Sequence, residues 1–308
     1  MRSSLDCIPC FLRQALEATR HVTDDATVQR DVLIQAAGLI SALPLHATPI
    51  ELGKHFHRVV RDVTGVDDPY RLAKRRDNDR VLALLPDLRR AVVSSDDPLE
   101  SALQLAASGN AIDLAVRPQI DSRRAFESAA DRSTTMEDYS RFRERLAQTD
   151  EVLYLGDNAG EIVADRLVVE QLVRLGKGVT FAVRGRPIIN DVTFEEASYV
   201  GMNQIADVVS TGSDGPGTAL PLCLPEFVER FRRARLILAK GQGNFEGLSE
   251  EDAPIFFLLQ VKCAVVQREL GIDIGKHAFV CPSARERNAV PQERASVDRQ
   301  DEKGRERR

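Results

Sequence analysis

From Asp150 onward the chain alternates short apolar runs with helix-length stretches, and no other feature constrains its fold so tightly. Val152-Leu153-Tyr154-Leu155, Val179-Thr180-Phe181-Ala182-Val183, Ala206-Asp207-Val208-Val209 and Leu236-Ile237-Leu238-Ala239 are nearly continuous apolar segments. Strands covered on both faces read this way, because neither side meets water. A helical stretch, Glu161 to Leu175, separates the first two runs, and Ala278-Phe279-Val280-Cys281 is a candidate last strand. Strands separated by helices join through right-handed crossovers, so the expectation is an α/β domain on a parallel sheet.

The residues before Asp150 carry helical spacing instead. Ile8, Phe11, Leu12, Ala15 and Leu16 form one apolar stripe, and Leu33, Ala36, Ala37 and Ile40 another. Thr48-Pro49-Ile50-Glu51 joins a capping box to a proline at the first helical position, and Asp68-Pro69 and Asp97-Pro98-Leu99-Glu100 also mark helix starts. The chain therefore divides into N-terminal helices over 1–47, a small helical subdomain or cap over 48–95 whose charged stretch from about Thr48 to Pro86 is bounded by prolines, a helical connection over 96–148, the α/β domain over 149–282 and a tail over 283–308. In the tail Arg and Glu displace apolar residues, the composition of a disordered, solvated segment. A net charge of −5 over 308 residues offers nucleic acid no basic footprint. The richest apolar run, Pro254 to Val261, is far short of a membrane span, and no signal-like core follows the N-terminus. A cytoplasmic protein with no membrane partner is the expectation, and the five cysteines fit a reducing compartment better than a disulfide framework. The sequence is silent on oligomeric state.

The segments after the strands point to chemistry. After the first run comes Gly156-Asp157-Asn158-Ala159-Gly160-Glu161, and after the second Arg184-Gly185-Arg186-Pro187 leading to Asn190-Asp191. Ser210-Thr211-Gly212-Ser213-Asp214 succeeds the third, and Lys240-Gly241-Gln242-Gly243-Asn244-Phe245-Glu246 the fourth. In an open parallel sheet these segments share the carboxyl edge, where ligands bind. Asp157, Asn158 and Asp191 offer oxygen ligands only, which suits a hard divalent cation such as Mg²⁺ or Mn²⁺. Ala159 and Gly160 leave backbone amides free to face an anion at a helix start, and Lys240 adds a fixed positive charge. Gly241 and Gly243 permit close backbone approach to a phosphate. Structural readings stand beside these: Asp157-Asn158 as an N-cap, Asp191 as a cap for the next helix, Lys240-Gly-Gln-Gly-Asn as a flexible turn, and Glu161 and Glu246 as solvated first-turn acids. Arg184 and Arg186 either contact substrate or flank the rim.

In order, Asp157-Asn158-Ala159-Gly160-Glu161, Pro187-Ile188-Ile189-Asn190-Asp191-Val192-Thr193, Ser210-Thr211-Gly212 and Lys240-Gly241-Gln242-Gly243-Asn244 resemble the damage-control metal-dependent phosphatase family. That family is also known as the domain of unknown function eighty-nine, or acidic residue methyltransferase-like. Cys7-Ile8-Pro9-Cys10, Gly109-Asn110-Ala111-Ile112-Asp113 and Lys262-Cys263 resemble its prokaryotic branch, and the likeness runs from about residue 4 to 282. The resemblance implies a helical N-terminal part packed on a Rossmann-like domain. It further implies a divalent metal (Mg, Mn, Co or Ni) on Asp157, Asn158 and Asp191, with Glu161 and Lys240 binding substrate phosphate or assisting catalysis. The implied activity is hydrolysis of sugar phosphates and related phosphometabolites by metal-activated water, with Asp157, Asn158, Asp191 and Lys240 as the catalytic set. The phosphate surround expected with it is Gly160, Asn190, Gly241, Gly243, Asn244, Asn110 and Arg184; the resemblance brings Asn110 and Asp113 to the cleft from the helical part, and a helix C-cap and restart is the alternative reading of that segment. Ala264 stands where the family usually has proline, which bears on a helix start.

Rival readings remain at this point. Asp-x-Asp, the signature of an aspartyl-phosphate route, is absent, since Ala159 stands two residues after Asp157. Methyl transfer from S-adenosylmethionine to carboxylates is the second enzymatic reading, and a non-catalytic phosphometabolite sensor is the third. Cys7 and Cys10 share a helix face, but one Cys-x-x-Cys is an incomplete zinc signature. With Cys263, expected on an apolar helix, they form either a second metal or redox site or ordinary packing. Cys223 and Cys281 read as core residues. His55 and His57 read as solvated, and no histidine has the partners of a catalytic triad.

Overall fold

The computed structural model of the chain describes residues 1–44, 46–107 and 135–282. The tail over 283–308 and the segment carrying Asn110 and Asp113 lie outside the described residues.

Six strands form one sheet: β1 (Glu151–Leu155), β2 (Gly178–Val183), β3 (Asp207–Ser210), β4 (Ile237–Lys240), β5 (Ile255–Gln260) and β6 (His277–Val280). Their spatial order is β3-β2-β1-β4-β5-β6. The first five run parallel, and β6 pairs antiparallel with β5, so the sheet is mixed at one edge. The run from Pro254 to Val261, too short for a membrane span, is a strand. It is buried along Ile255–Leu259, and its length of six residues suits a strand better than a helix. The strand order reverses between β1 and β4, and a crevice opens where loops leave in opposite directions.

The pleat sends alternate residues to opposite cores. Val152, Tyr154, Phe181, Leu238 and Phe256 face a core shared with α4 (Arg71–Val93), α5 (Pro98–Ala107), α6 (Tyr139–Ala147) and α7 (Glu161–Arg174). Leu153, Leu155, Ala182, Ile237 and Phe257 face the other core with α9 (Pro225–Arg233), α10 (Gly241–Leu248) and α11 (Ala264–Leu270). The short helix α8 (Phe194–Tyr199) lies between β2 and β3. Burying each such side chain contributes about 1.5–3 kcal/mol, which makes the register of these strands hard to slip.

A third core joins α1 (Cys7–Arg20), α2 (Ala26–Leu39) and α3 (Pro49–Thr64) through Phe11, Ala15, Ala18, Val32, Ala36, Leu52, Phe56 and Val60. On α2 the buried face is Val32 and Ala36, one position round from the expected Leu33 stripe. The capping box at Thr48 and Glu51 forms as the sequence predicts. The segment expected as one subdomain is divided between cores: α3 packs with α1 and α2, while α4 packs on α7 beneath the sheet. Pro86 is no boundary, for it lies inside α4. No helix among the described residues is long and apolar enough to cross a membrane.

Candidate active site

Two loops meet at the carboxyl end of β1. Gly160, at φ 80°, turns the first into α7, and no side chain caps that helix. Asp157 and Asn158 are therefore not its cap. The second loop, after β2, bends through Ile189 at φ 45°, a left-handed backbone that a β-branched residue rarely adopts. Asn158 and Asp191 form an antiparallel bridge; Ala159 N donates to Asn190 O at 2.8 Å and Val192 N to Asp157 O at 2.8 Å. The cap of α8 is Thr193 in a capping box with Glu196, so Asp191 is not spent as a cap either.

These contacts bring Asp157, Asn158 and Asp191 together at 6, 9 and 4% exposure. Asn158 Nδ2 donates to Asp157 Oδ2 at 2.8 Å and to Glu161 Oε1 at 3.0 Å. With its amino group between two acids, the amide leaves Oδ1 as the atom to offer a cation. Burial, then the charges of Glu161 and Asp191, push Asp157 up to about 8. Burial likewise raises Asp191, against the pull of Arg184. Burial would also raise Glu161, but Lys240, Lys262 and the Asn158 amide outweigh it and hold that acid low. Crowded, desolvated carboxylates with an outward amide oxygen fit a hard divalent ion, whose charge would relieve them.

Lys240 closes the site from β4, across the point where strand order reverses. Its Nζ donates to Glu161 Oε2 at 3.0 Å and stands 3.4 Å from Asp165 Oδ1. Burial would lower its proton affinity, but Asp165, Glu161 and Asp157 raise it.

Known proteins resemble this chain over nearly its whole length. Residues 3–277 match the damage-control phosphatase ARMT1-like domain. The chain belongs to that family. A damage-control phosphatase of Archaeoglobus fulgidus is 33% identical over 288 residues, covering 89% of this chain and 97% of the relative. One from Pyrococcus horikoshii is 32% identical over 286 residues, covering 91% and 98%. An uncharacterized protein of Methanocaldococcus jannaschii is 32% identical over 286 residues, covering 89% and 94%. The crystal structure of a DUF89 family protein from P. horikoshii superposes with a TM-score of 0.83 at 30% identity, over 92% of this chain and all of that one.

Within this damage-control phosphatase scaffold several expected ligand contacts hold the frame instead. Arg184, 1% exposed, donates from Nε to Asp191 Oδ2 at 2.7 Å, from Nη1 to Thr218 Oγ1 at 2.9 Å, and from Nη2 to Gly156 O at 3.2 Å and Asn244 Oδ1 at 3.1 Å. Asn244 donates to Gly156 O and Lys240 O at 3.1 and 2.7 Å, so both residues brace the loops from behind. The flexible turn expected after Lys240 is the first turn of α10. A Cβ on Gly243 would stand 2.5 Å from Pro216 O, so this glycine serves packing. Asn190 contributes its carbonyl. The amides of Ala159 and Gly160, expected to face an anion, are occupied by Asn190 O and, at 2.6 Å, by Asn78 Oδ1 from α4. The loop after β3 is roofed by α3: Asp214 pairs with Arg61 at 3.3 Å, and Thr211 and Ser213 are buried. Arg186 is exposed and paired with Asp67.

Two contributors receive no site role from the sequence: Asn78, and Lys262, which is marked only by the Lys262-Cys263 likeness. Asn78 lies in a charged helix with no motif to mark it. Lys262 comes after β5, and its ammonium lowers the proton affinity of Asp157, Glu161 and Asp191, yet it makes no ion pair among the described residues. With the run before it a strand, Lys262 stands as the fifth rim position. A cavity of about 250 Å³ beside Asn78 is lined by Arg71, Arg75 and Tyr199 among others. Another, of about 680 Å³, lies at the opposite edge by Glu151 and Arg230, remote from this rim.

The cysteines do not gather as a chelate. Cys7 Sγ accepts from Ser4 N at 3.5 Å, Cys10 Sγ from Gln14 Nε2 at 3.5 Å, and Cys263 Sγ from Gln242 Nε2 at 3.6 Å. Among the described residues no three His, Cys, Asp or Glu side chains are grouped to hold a metal ion. Cys263 is the N-cap residue of α11 and not a helix-face residue, and burial raises the Cys7 and Cys10 thiols, the reverse of activation. Cys281 is buried, whereas Cys223 is half-buried. Two further expectations fail: Glu246 is raised by burial and bonded to Gln242 at 2.7 Å, and His57 is 4% exposed, while His55 is exposed as expected.

Proposed function

We propose that the chain is a divalent-metal-dependent phosphatase hydrolysing phosphate monoesters of small metabolites, sugar phosphates and their damaged relatives among them. What supports this reading is the bridge between Asn158 and Asp191, which with Asp157 sets two buried acids and an amide oxygen together at the carboxyl end of β1. Asp157, Asn158 Oδ1 and the Asp191 oxygen not held by Arg184 would hold Mg²⁺, Mn²⁺, Co²⁺ or Ni²⁺. A divalent ion there supplies Lewis acidity to phosphoryl oxygens and acidifies water.

The chain's own groups do the rest. Lys262, exposed and unpaired among the described residues, meets the incoming phosphoryl group and balances charge that grows as the ester bond breaks. Glu161, kept ionised by the lysines, holds Asn158 in place and stands at the rim to accept a proton from water. Lys240 anchors Glu161 from below. The cavity lined by Arg71, Arg75 and Tyr199 would seat the body of the substrate, since Asn78 links it to the catalytic loop. Uncatalysed monoester hydrolysis is so slow that acceleration approaches ~10²¹-fold, and fixed charges of this kind are the main source of it.

Relatives named damage-control phosphatases support hydrolysis over methyl transfer. So does the loop itself, whose Ala159 and Gly160 amides are taken and offer a nucleoside cofactor no bare backbone. The test is phosphate release from a panel of phosphate monoesters with each of the four metals. Release that disappears on chelation and in Asp157→Ala is expected. No release from any ester, or release undiminished in Asp157→Ala, overturns the reading.

A further inference from the structure

Beneath Lys240 lies an acid to which the proposed reaction gives no part. Asp165 sits one turn after Glu161 on α7, faces the sheet and is wholly buried. Tyr154 on β1 donates its hydroxyl to Asp165 Oδ1 at 2.8 Å, and Lys240 Nζ stands 3.4 Å from that same oxygen. Asp165 Oδ2 has no hydrogen-bond partner among the described residues. An ionised carboxylate with one oxygen unsatisfied is costly in a core, and its neighbours Ile162, Val163, Leu167 and Val168 show that packing here favours apolar groups. An acid in that position needs a reason other than packing.

The contacts run on from it in one line. Lys240 Nζ reaches Glu161 Oε2 at 3.0 Å, and Asn158 Nδ2 reaches Glu161 Oε1 at 3.0 Å and Asp157 Oδ2 at 2.8 Å. Glu161 and Asp165, four residues apart, share a helix face and grip the ammonium from two sides. Glu161 is half-buried at the rim, while Asp165 is locked below by Tyr154. If Glu161 turns toward substrate, Asp165 is the partner that keeps Lys240 where it is.

We propose that Asp165, braced by Tyr154, is a positioning residue that pins the Lys240 ammonium and, through Glu161, fixes Asn158 with its oxygen toward the cation. The kinetic consequence rests on the phosphatase reading; the mechanical one does not. Groups that orient a metal ligand from behind change affinity or activity by about 10–100-fold when removed.

The decisive measurement is a double-mutant cycle on Asp165→Asn and Lys240→Met, with thermal midpoints alongside. Asp165→Asn should lower kcat about 10–100-fold while KM at saturating metal stays within about threefold. If Asp165 acts through Lys240, the double variant is no slower than Lys240→Met alone, whereas independent structural effects multiply. A wild-type kcat in Asp165→Asn, or losses that multiply, overturns the proposal. Should Asp165→Asn not fold, Tyr154→Phe takes its place in the cycle, with a smaller loss of the same kind expected. If the wild type releases no phosphate from any ester, the phosphatase reading fails separately. Mn²⁺ affinity, measured through the electron paramagnetic resonance of the free ion, then replaces kcat. A weakening by Asp165→Asn that vanishes in the Lys240→Met background supports the brace, and unchanged affinity removes it.

Discussion

A methyl group on Gly241 would stand 1.8 Å from Oδ2 of Asp157. These two residues flank the reversal of strand order, one after β4 and one after β1, and only a missing side chain lets the carboxylate sit there. Gly241 also holds φ at 81°, where an L side chain is strained. Gly241→Ala should therefore displace Asp157, lowering phosphate release at least about a hundredfold and stability by about 2 kcal/mol or more. Gly38→Ala is the control: Gly38 is an exposed position in α2 where an added Cβ would meet nothing, so that change should stabilise by about 0.5–1 kcal/mol. Equal activity in the two variants would contradict the arrangement.

Lys262 separates electrostatic from structural contributions. It is exposed and makes no ion pair among the described residues, so Lys262→Ala should leave the thermal midpoint within a degree or two. Its charge nevertheless bears on Asp157, Glu161 and Asp191. KM for a phosphate ester should rise about tenfold, the scale of one charge-assisted contact of about 1.4 kcal/mol, and the effect should shrink in high salt. An unchanged KM would show that phosphate is held elsewhere.

The sequence disclosed four of the five parallel strands because their apolar runs break at glycine, serine or charge, and it marked Asp157, Asn158 and Asp191 as rim neighbours because oxygen-bearing side chains recur at strand ends. It did not disclose what the neighbours do. Arg184 and Asn244 look like ligand contacts when rim residues are read in order, yet they face inward because Gly156 O and Asp191 Oδ2 require donors there. Asn78 and Asp165 act from helices whose patterns report only amphipathicity. β5 is hard to recognise because a short run buried on both faces has no alternation to mark it as a strand, and without that strand nothing places Lys262 on the rim.

The acids at the site weaken the metal-free fold. Asp157 is pushed up to about 8 by burial and then by Glu161 and Asp191, against an ordinary value of 3.8. The folded state therefore holds a proton that the unfolded chain releases, and stability drains away as pH rises from about 4 to 8. Asp157→Asn removes that burden and keeps the shape. At pH 8 without metal this variant should melt several degrees above the wild type, a gain of about 2 kcal/mol, and should release no phosphate. Saturating Mn²⁺ should close the gap, because only the wild type gains from binding. A variant that melts lower than the wild type in chelator would show that the carboxylates are not in conflict.

His57 imposes the opposite slope from a different core. It lies on α3 at 4% exposure, Nε2 has no partner among the described residues, and burial, then the charge of Arg61, pushes it down to about 4 from 6.5. The unfolded chain takes up this proton near pH 6.5 and the folded chain does so only near 4. Its contribution to stability is therefore complete above 6.5 and is lost as pH falls through that window, about 3 kcal/mol in all. Asp157 gains stability over the same fall, so the raw curve mixes the two, and only the difference between wild type and His57→Leu isolates the imidazole. Urea midpoints at pH 7.5 and 4.5 should show the wild type losing about 2–3 kcal/mol more than the variant over that interval. Parallel curves would mean that the imidazole already carries a proton in the fold and finds an acceptor there.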